Sequence, residues 1–204
     1  MSIPVVADAD TLFGATTRGL LVYLDYRELV NLHWSPLILD EMCRALVDAG
    51  RKSSIEAAKA LEERLSNALP NAMVTTQEIH AQFESIQLAV NSAKDAHVAA
   101  CAYHLIAANA YPGSETVVLT TRNARDFDKG ALADLGIELS SPDEFLHGLF
   151  WMSPGDFSFA FRHFRQDLTS KPDVESLLDA LERDSQTRTA AALRAAHEAG
   201  VHRL

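Results

Sequence analysis

Apolar residues along this chain fall into two kinds of run. Four are short and β-like, at residues 3–7, 72–75, 117–120 and 137–139, and the others recur at the three- to four-residue spacing of amphipathic helices. Leu20, Leu21, Leu24, Leu29 and Val30 predict a helix over 17–31. SPLILDEMCRALVDAG, residues 35–50, opens on a Ser cap followed by Pro at the first helical position, and it closes at Gly50. Ile55, Ala58, Leu61 and Leu65 predict a helix over 54–69. Residues 92–110 begin with a Ser-x-x-Asp pattern and carry an apolar face of Val98, Cys101, Ala102, Leu105 and Ile106. Ser141, Pro142 and Glu144 repeat the capping grammar at the head of 141–149. Short strands alternating with helices predict an α/β fold built on a parallel sheet.

The pattern changes after residue 150. PGDFSFAFRHFRQDL, residues 154–168, holds four Phe, and KPDVESLLDALERD, residues 171–184, reads as a short amphipathic helix starting at Pro172. TRTAAALRAAHEAG, residues 187–200, is Ala-rich and weakly amphipathic. The expected organisation is a main domain over 1–149 and a C-terminal α-helical appendage over 150–204, either a cap on the body or an arm for a partner. The Phe-rich run, Trp34 and Trp151 are expected to pack. His33, His97 and His104 show no metal-ligand clustering and are expected in structural or surface roles.

Composition narrows the class. With 204 residues, 48% hydrophobic and 23% charged, the chain has the make-up of a soluble globular protein, and no apolar run reaches the length of a membrane span. Cys43 and Cys101 each lie in a helical pattern outside any CxxC pair, which predicts reduced core thiols and a cytoplasmic protein. The net charge of −10 argues against duplex binding by a basic face. Residues 1–149 carry −9 of that charge, so the acidic excess lies in the main body.

Within that body the acids have a pattern. In VVADADTLF, residues 5–13, a strand gives way to Asp8 and Asp10, the position at which open α/β sheets bind ligands. TVVLTTRNARDF, residues 116–127, ends a second strand in Thr121, Asn123 and Asp126. Asp95 heads the helix preceding that strand, and the topology brings it toward the same carboxyl edge. Glu41 is a fourth candidate that spacing alone does not place. Carboxylates grouped in this way raise one another's pKa values unless a cation sits among them, and hard oxygen donors suit Mg2+ or Mn2+. Such an ion activates water and stabilises charge on a phosphodiester.

With these residues in view, the chain resembles a PIN-domain nuclease of the VapC-type toxins of bacterial toxin–antitoxin pairs, over roughly residues 3–147. VVADADTLF supplies Asp8 as the family's first acid, SPLILDEM Glu41 as its second and KDAHVAACA Asp95 as its third. Asp10 stands where the family often has Asn and reads as a supporting residue. Thr121 and Asn123 match polar positions after the last functional strand. Many members carry an acid where Asn123 stands, so Asn123 and Asp126 are both candidates to complete the site, with Asp126 preferred. The resemblance implies a PIN-like α/β/α sandwich with a short-stranded parallel sheet and magnesium-dependent endoribonuclease action on tRNA or another structured RNA. It also implies inhibition by a cognate antitoxin protein and pairing as a homodimer. Asp8, Glu41, Asp95 and Asp126 would be catalytic and metal-binding, and Arg18, Lys94, Arg122 and Arg125 could meet substrate phosphates.

Two other readings compete with this one. DADTL resembles the start of haloacid-dehalogenase-type phosphatases, and VVLTT their hydroxyl-bearing motif. Thr11, however, directly follows Asp10 rather than standing two places on, and residues 140–204 offer no late acidic pair in a suitable context. A PIN-like scaffold that binds RNA or protein without catalysis is the second, and the acids at all four positions count against it.

Overall fold

The computed structural model describes residues 2–204, and in it the chain divides into two compact units. One is made of Ile3–Phe13 and Asn31–Ser140; the other contains Gly14–Val30 and Ser141–Leu204. The second unit takes up the C-terminal chain at Ser141, and the segment 14–30 is grouped with it.

The sheet is four-stranded and parallel, built from β1 (Ile3–Ala7), β2 (Val30–His33), β3 (Val117–Thr120) and β4 (Ile137–Ser140) in the order β2-β1-β3-β4. Val5, Val6 and Ala7 pair with Val118, Leu119 and Thr120, and β3 pairs in turn with β4 from Val117↔Ile137 to Thr120↔Ser140. The apolar residues of β1 and β3 beyond Ile3 are all buried. Unbroken apolar runs of this kind are expected of parallel strands covered on both faces. The ladder runs one residue past the strands, since Asp8 N–H donates to Thr120 O at 3.0 Å and Thr121 N–H to Ser140 O at 3.1 Å. Both residues are therefore fixed by backbone pairing at the carboxyl edge.

The helices of the sheet unit are α1 (Ala9–Phe13), α3 (Pro36–Asp48), α4 (Ile55–Ala68), α5 (Thr76–His80), α6 (Ala96–Ala107) and α7 (Lys129–Asp134). α3 and α4 follow the sequence reading closely: Ser35 and Ser54 cap them by accepting Ile38 N–H and Ala57 N–H. Cys43 and Cys101 are buried free thiols.

Three expectations need correction here. The helix predicted over 17–31 is α2 (Ala15–Tyr26) and stops early, because Glu28 adopts φ 57 and Leu29 N–H turns back to Leu24 O at 3.1 Å. That left-handed stop, usually made by glycine, frees Val30–His33 to form β2, which the spacing of Leu29 and Val30 had concealed. Residues 72–75 form no strand; Met73 makes a single parallel bridge to Trp34. The helix expected to begin at residue 92 starts at Ala96, because the Ser92 hydroxyl accepts Lys94 N–H in a turn, and Asp95 is left as the residue before α6.

The second unit holds α2 and the C-terminal helices α8 (Pro142–Met152), α9 (Pro154–Asp167), α10 (Val174–Arg183) and α11 (Thr187–Glu198). Ser141 and Glu144 form the reciprocal capping box of α8. α10 starts after Asp173, whose side chain accepts Ser176 N–H at 2.7 Å, so Pro172 lies ahead of the helix and not within it. Phe157, Phe161 and Phe164 of the Phe-rich run are buried, and Phe164 lies against Tyr23 of α2 with ring centroids 5.5 Å apart. Leu177, Leu178 and Leu181 form the buried face of α10. Trp34 is buried as expected, but Trp151 is 64% exposed, resting its edge on Phe150 and donating Nε1–H to His147.

Candidate active site

Asp8 immediately precedes α1, and its backbone carbonyl accepts Leu12 N–H at 3.0 Å. Its carboxylate is buried at 5% exposure, with Oδ1 accepting Ala9 N–H at 2.6 Å and Oδ2 accepting the Thr121 hydroxyl at 2.8 Å. Asp10 stands in the first turn of α1 and receives Arg122 N–H at 2.9 Å on Oδ2 and 3.1 Å on Oδ1. The Thr121 oxygen also lies 3.3 Å from Asp10 Oδ2 and accepts Asn123 N–H at 3.1 Å. One hydroxyl thus joins the ends of β1 and β3, and both aspartates meet at it. The sequence supplied every side chain of this group. It gave no sign of the Arg122 backbone N–H, because main-chain donors leave no residue signature.

The electrostatics follow from burial. Desolvation is the first cause raising the Asp8 pKa, to about 7, and the Asp10 charge adds to it; hydrogen bonds from Thr121 and Ala9 oppose it, and Glu41 adds a further push upward. Asp10 is also raised, chiefly by burial, with the Arg122 N–H bond and charge opposing. The pair therefore resists being doubly charged.

The other predicted site residues are placed less closely. Glu41, on α3, is half-exposed and acts on Asp8 through space; its Oε2 lies 3.5 Å from His97 Nε2. His97 Nδ1 is 2.6 Å from the Lys94 carbonyl, which can only accept, so that nitrogen carries the proton and the ring is fixed facing Glu41. A contact between His97 and a site acid was not legible beforehand, although its position two residues after Asp95 was a cue. Asp95 and Asp126 are half-buried, and among the described residues their carboxylates make no hydrogen bond or ion pair. Asp126 closes a 3-10 turn over Ala124–Asp126, with its carbonyl accepting Asn91 N–H at 2.8 Å. Asn123 is exposed and reaches the group through its backbone N–H. Among the described residues no three His, Cys, Asp or Glu side chains converge closely enough to hold a metal ion by themselves.

The donor chemistry nonetheless suits a hard divalent cation. Asp8, Glu41, Asp95 and Asp126 offer only oxygen, and the buried Asp8, with Asp10 beside it, is destabilised as a carboxylate, which a cation would reverse.

A short all-parallel sheet flanked by helices, followed by C-terminal helices, is consistent with a PIN-like α/β/α protein. Residues 142–195, about a quarter of the chain and nearly all of α8–α11, match the family model of the VapC50 C-terminal domain. No curated protein and no solved structure matches the chain. Among the described residues no helix is long and apolar enough to cross a membrane.

Proposed function

We propose that the chain is a magnesium-dependent endoribonuclease that acts as the toxin of a toxin–antitoxin pair, with RNA as substrate and a cognate antitoxin protein as inhibitor. The observation that carries this reading is the meeting of Asp8 and Asp10 at Thr121, on the carboxyl edge of a parallel sheet, with Glu41 in electrostatic reach. The match of residues 142–195 to the VapC50 C-terminal domain supports the toxin role.

Asp8, Glu41, Asp95 and Asp126 would hold Mg2+, with Mn2+ as an alternative. When bound, the ion supplies a nucleophilic water near neutral pH and stabilises charge on the scissile phosphodiester. The chain's own contribution is preorganisation. Arg122 N–H and Thr121 fix Asp10, and Thr121 and Ala9 N–H fix Asp8, so these two carboxylates are oriented by the chain itself. Asp8, with its pKa raised to about 7, holds a proton on part of the molecules at neutral pH and would have to give it up to ligate a cation.

The test is incubation of purified protein with total RNA in Mg2+ or in chelator, with the new ends mapped. Cleavage at defined sites in Mg2+ alone, leaving 5′-phosphate and 3′-hydroxyl ends and absent from Asp8→Asn, is the expected result. Parent protein that leaves RNA intact, or Asp8→Asn that cleaves as fast as the parent, would sink the proposal.

A further inference from the structure

Beside Glu41 the sheet unit opens into a groove of about 570 Å³. Leu37 and Ala45 of α3 line it, and polar side chains surround them: Glu41, Arg44 and Asp48 from α3, with Lys94 and His97 from the start of α6. The two cations are disposed differently. Arg44 is held within its own helix, its Nη2 3.0 Å from Asp40 Oδ2 and its Nε donating to Asp40 O at 3.4 Å. Nη1 makes no hydrogen bond among the described residues, so part of the guanidinium fork remains open. The Asp40 charge that orients Arg44 is shared with Lys59 at 3.2 Å. Lys94 is exposed, and among the described residues its ammonium has no acidic partner within 4.0 Å. The Lys94 carbonyl, through His97, is tied to the ring that faces Glu41. Glu41 thus lines the groove and also exerts its charge on Asp8, and Lys94 directly precedes Asp95 in the chain.

We infer that this groove is a phosphate subsite, in which Lys94 and Arg44 grip a backbone phosphate of a single-stranded RNA segment lying next to the phosphodiester at Asp8. The inference rests on the nuclease reading and adds to it the path of the strand. Arg44 offers the Nη1 side of an already oriented guanidinium to a phosphate oxygen, and Lys94 a mobile point charge. Glu41 and Asp48 balance these cations, so the groove exerts little long-range field, in keeping with a chain of net charge −10. It works by contact geometry with one phosphate. A broad basic face of the kind that holds a duplex is not part of it. An acidic protein segment would face the same two acids without a neighbouring group at Asp8 to extend toward, which makes RNA the better-fitting occupant.

The experiment measures anisotropy of a labelled single-stranded oligouridylate with the full chain in chelator, where no cleavage occurs, over a series of salt concentrations. Lys94→Ala and Arg44→Ala should each weaken binding roughly three- to tenfold and flatten the salt dependence of log Kd by about 0.7. Lys94→Arg should restore most of the loss, and Arg64→Ala, at an exposed position outside the groove, should change nothing. Parent that cleaves RNA in Mg2+ while the groove variants bind with unchanged affinity and slope overturns the subsite alone. Variants that bind the oligonucleotide normally but lose affinity for polyglutamate assign the groove to an acidic protein segment and also overturn it. Parent that neither binds nor cleaves RNA overturns the nuclease reading and the subsite with it.

Discussion

The Thr121 hydroxyl donates to Asp8 Oδ2 at 2.8 Å while accepting Asn123 N–H at 3.1 Å, so its one proton is committed and its orientation set. This bond ties the carboxyl end of β3 to that of β1 inside a buried site. Thr121→Val should keep the fold and the shape but leave Asp8 without its hydroxyl donor. RNA cleavage in Mg2+ should fall about 10- to 100-fold, the usual effect of removing a group that orients a metal ligand. Thr121→Ser should recover most of it. Valine at full rate would show that the hydroxyl orients nothing that matters to the reaction.

Asp8 also predicts a pH dependence of stability in the absence of metal. Its folded-state pKa lies near 7, above the ordinary value of 3.8, so the folded state binds the proton more tightly than the unfolded chain. The contribution is fully present below pH 3.8 and is lost as pH rises through 7, on the order of a few kcal/mol across that window. In chelator, parent stability from urea unfolding should decline between pH 5 and 8 relative to Asp8→Asn. Parallel profiles for the two proteins would remove the burial argument.

Bound as proposed, metal should counter that loss. Mg2+ at ten times its Kd should then stabilise the folded state by about 1.4 kcal/mol, which for a chain of this size is roughly 3–6 °C in melting temperature. Asp95→Asn should melt with a smaller response to millimolar Mg2+ than the parent. Equal responses in the two proteins would exclude Asp95 as a ligand.

His33 titrates in the opposite sense. It is buried, its Nδ1–H donates to Ala72 O at 3.2 Å, and its Nε2 meets the Tyr111 hydroxyl. Burial, the main cause, lowers its pKa from 6.5 to about 4. The unfolded chain then binds the extra proton, and the stability His33 contributes above pH 6.5 is lost as pH falls toward 4, by about 2 kcal/mol at pH 5. His33→Gln should flatten the unfolding profile between pH 7 and 5, as followed by urea titration. An unaltered acid limb would assign the loss to other groups.

In the unit formed by Gly14–Val30 and Ser141–Leu204, two helices are capped by aspartates distant in sequence. Asp143 accepts Arg188 N–H at 2.9 Å and Thr189 N–H at 3.0 Å at the head of α11. Asp184 does the same for Thr16 and Thr17 of α2, at 2.8 and 3.0 Å. Asp143→Ala and Asp184→Ala should each cost about 1–2 kcal/mol in denaturant unfolding. A change within error would mean that water replaces both caps without penalty.

The sequence by itself determined those features whose signal is local. Ser35 with Pro36, Ser54, and Ser141 with Glu144 mark three helix starts because a cap and its N–H partner lie within three residues. The buried strands β1 and β3 were legible as unbroken apolar runs, and Asp8, Asp10 and Thr121 as polar residues immediately beyond them. Only the tertiary structure decided the rest. β2 was hidden because a left-handed Glu28, rather than a glycine, ends α2, and because its residues also fit a helical spacing. The Arg122 N–H on Asp10 and the His97 ring facing Glu41 join segments far apart in the chain, or use main-chain atoms that every residue carries. The caps from Asp143 and Asp184 are of the same kind: the helix start lacks its own capping side chain, and the partner is chosen by packing. Local hydrogen bonds and burial periodicity are written residue by residue, whereas the contacts that assemble the site exist only once the strands have been brought side by side.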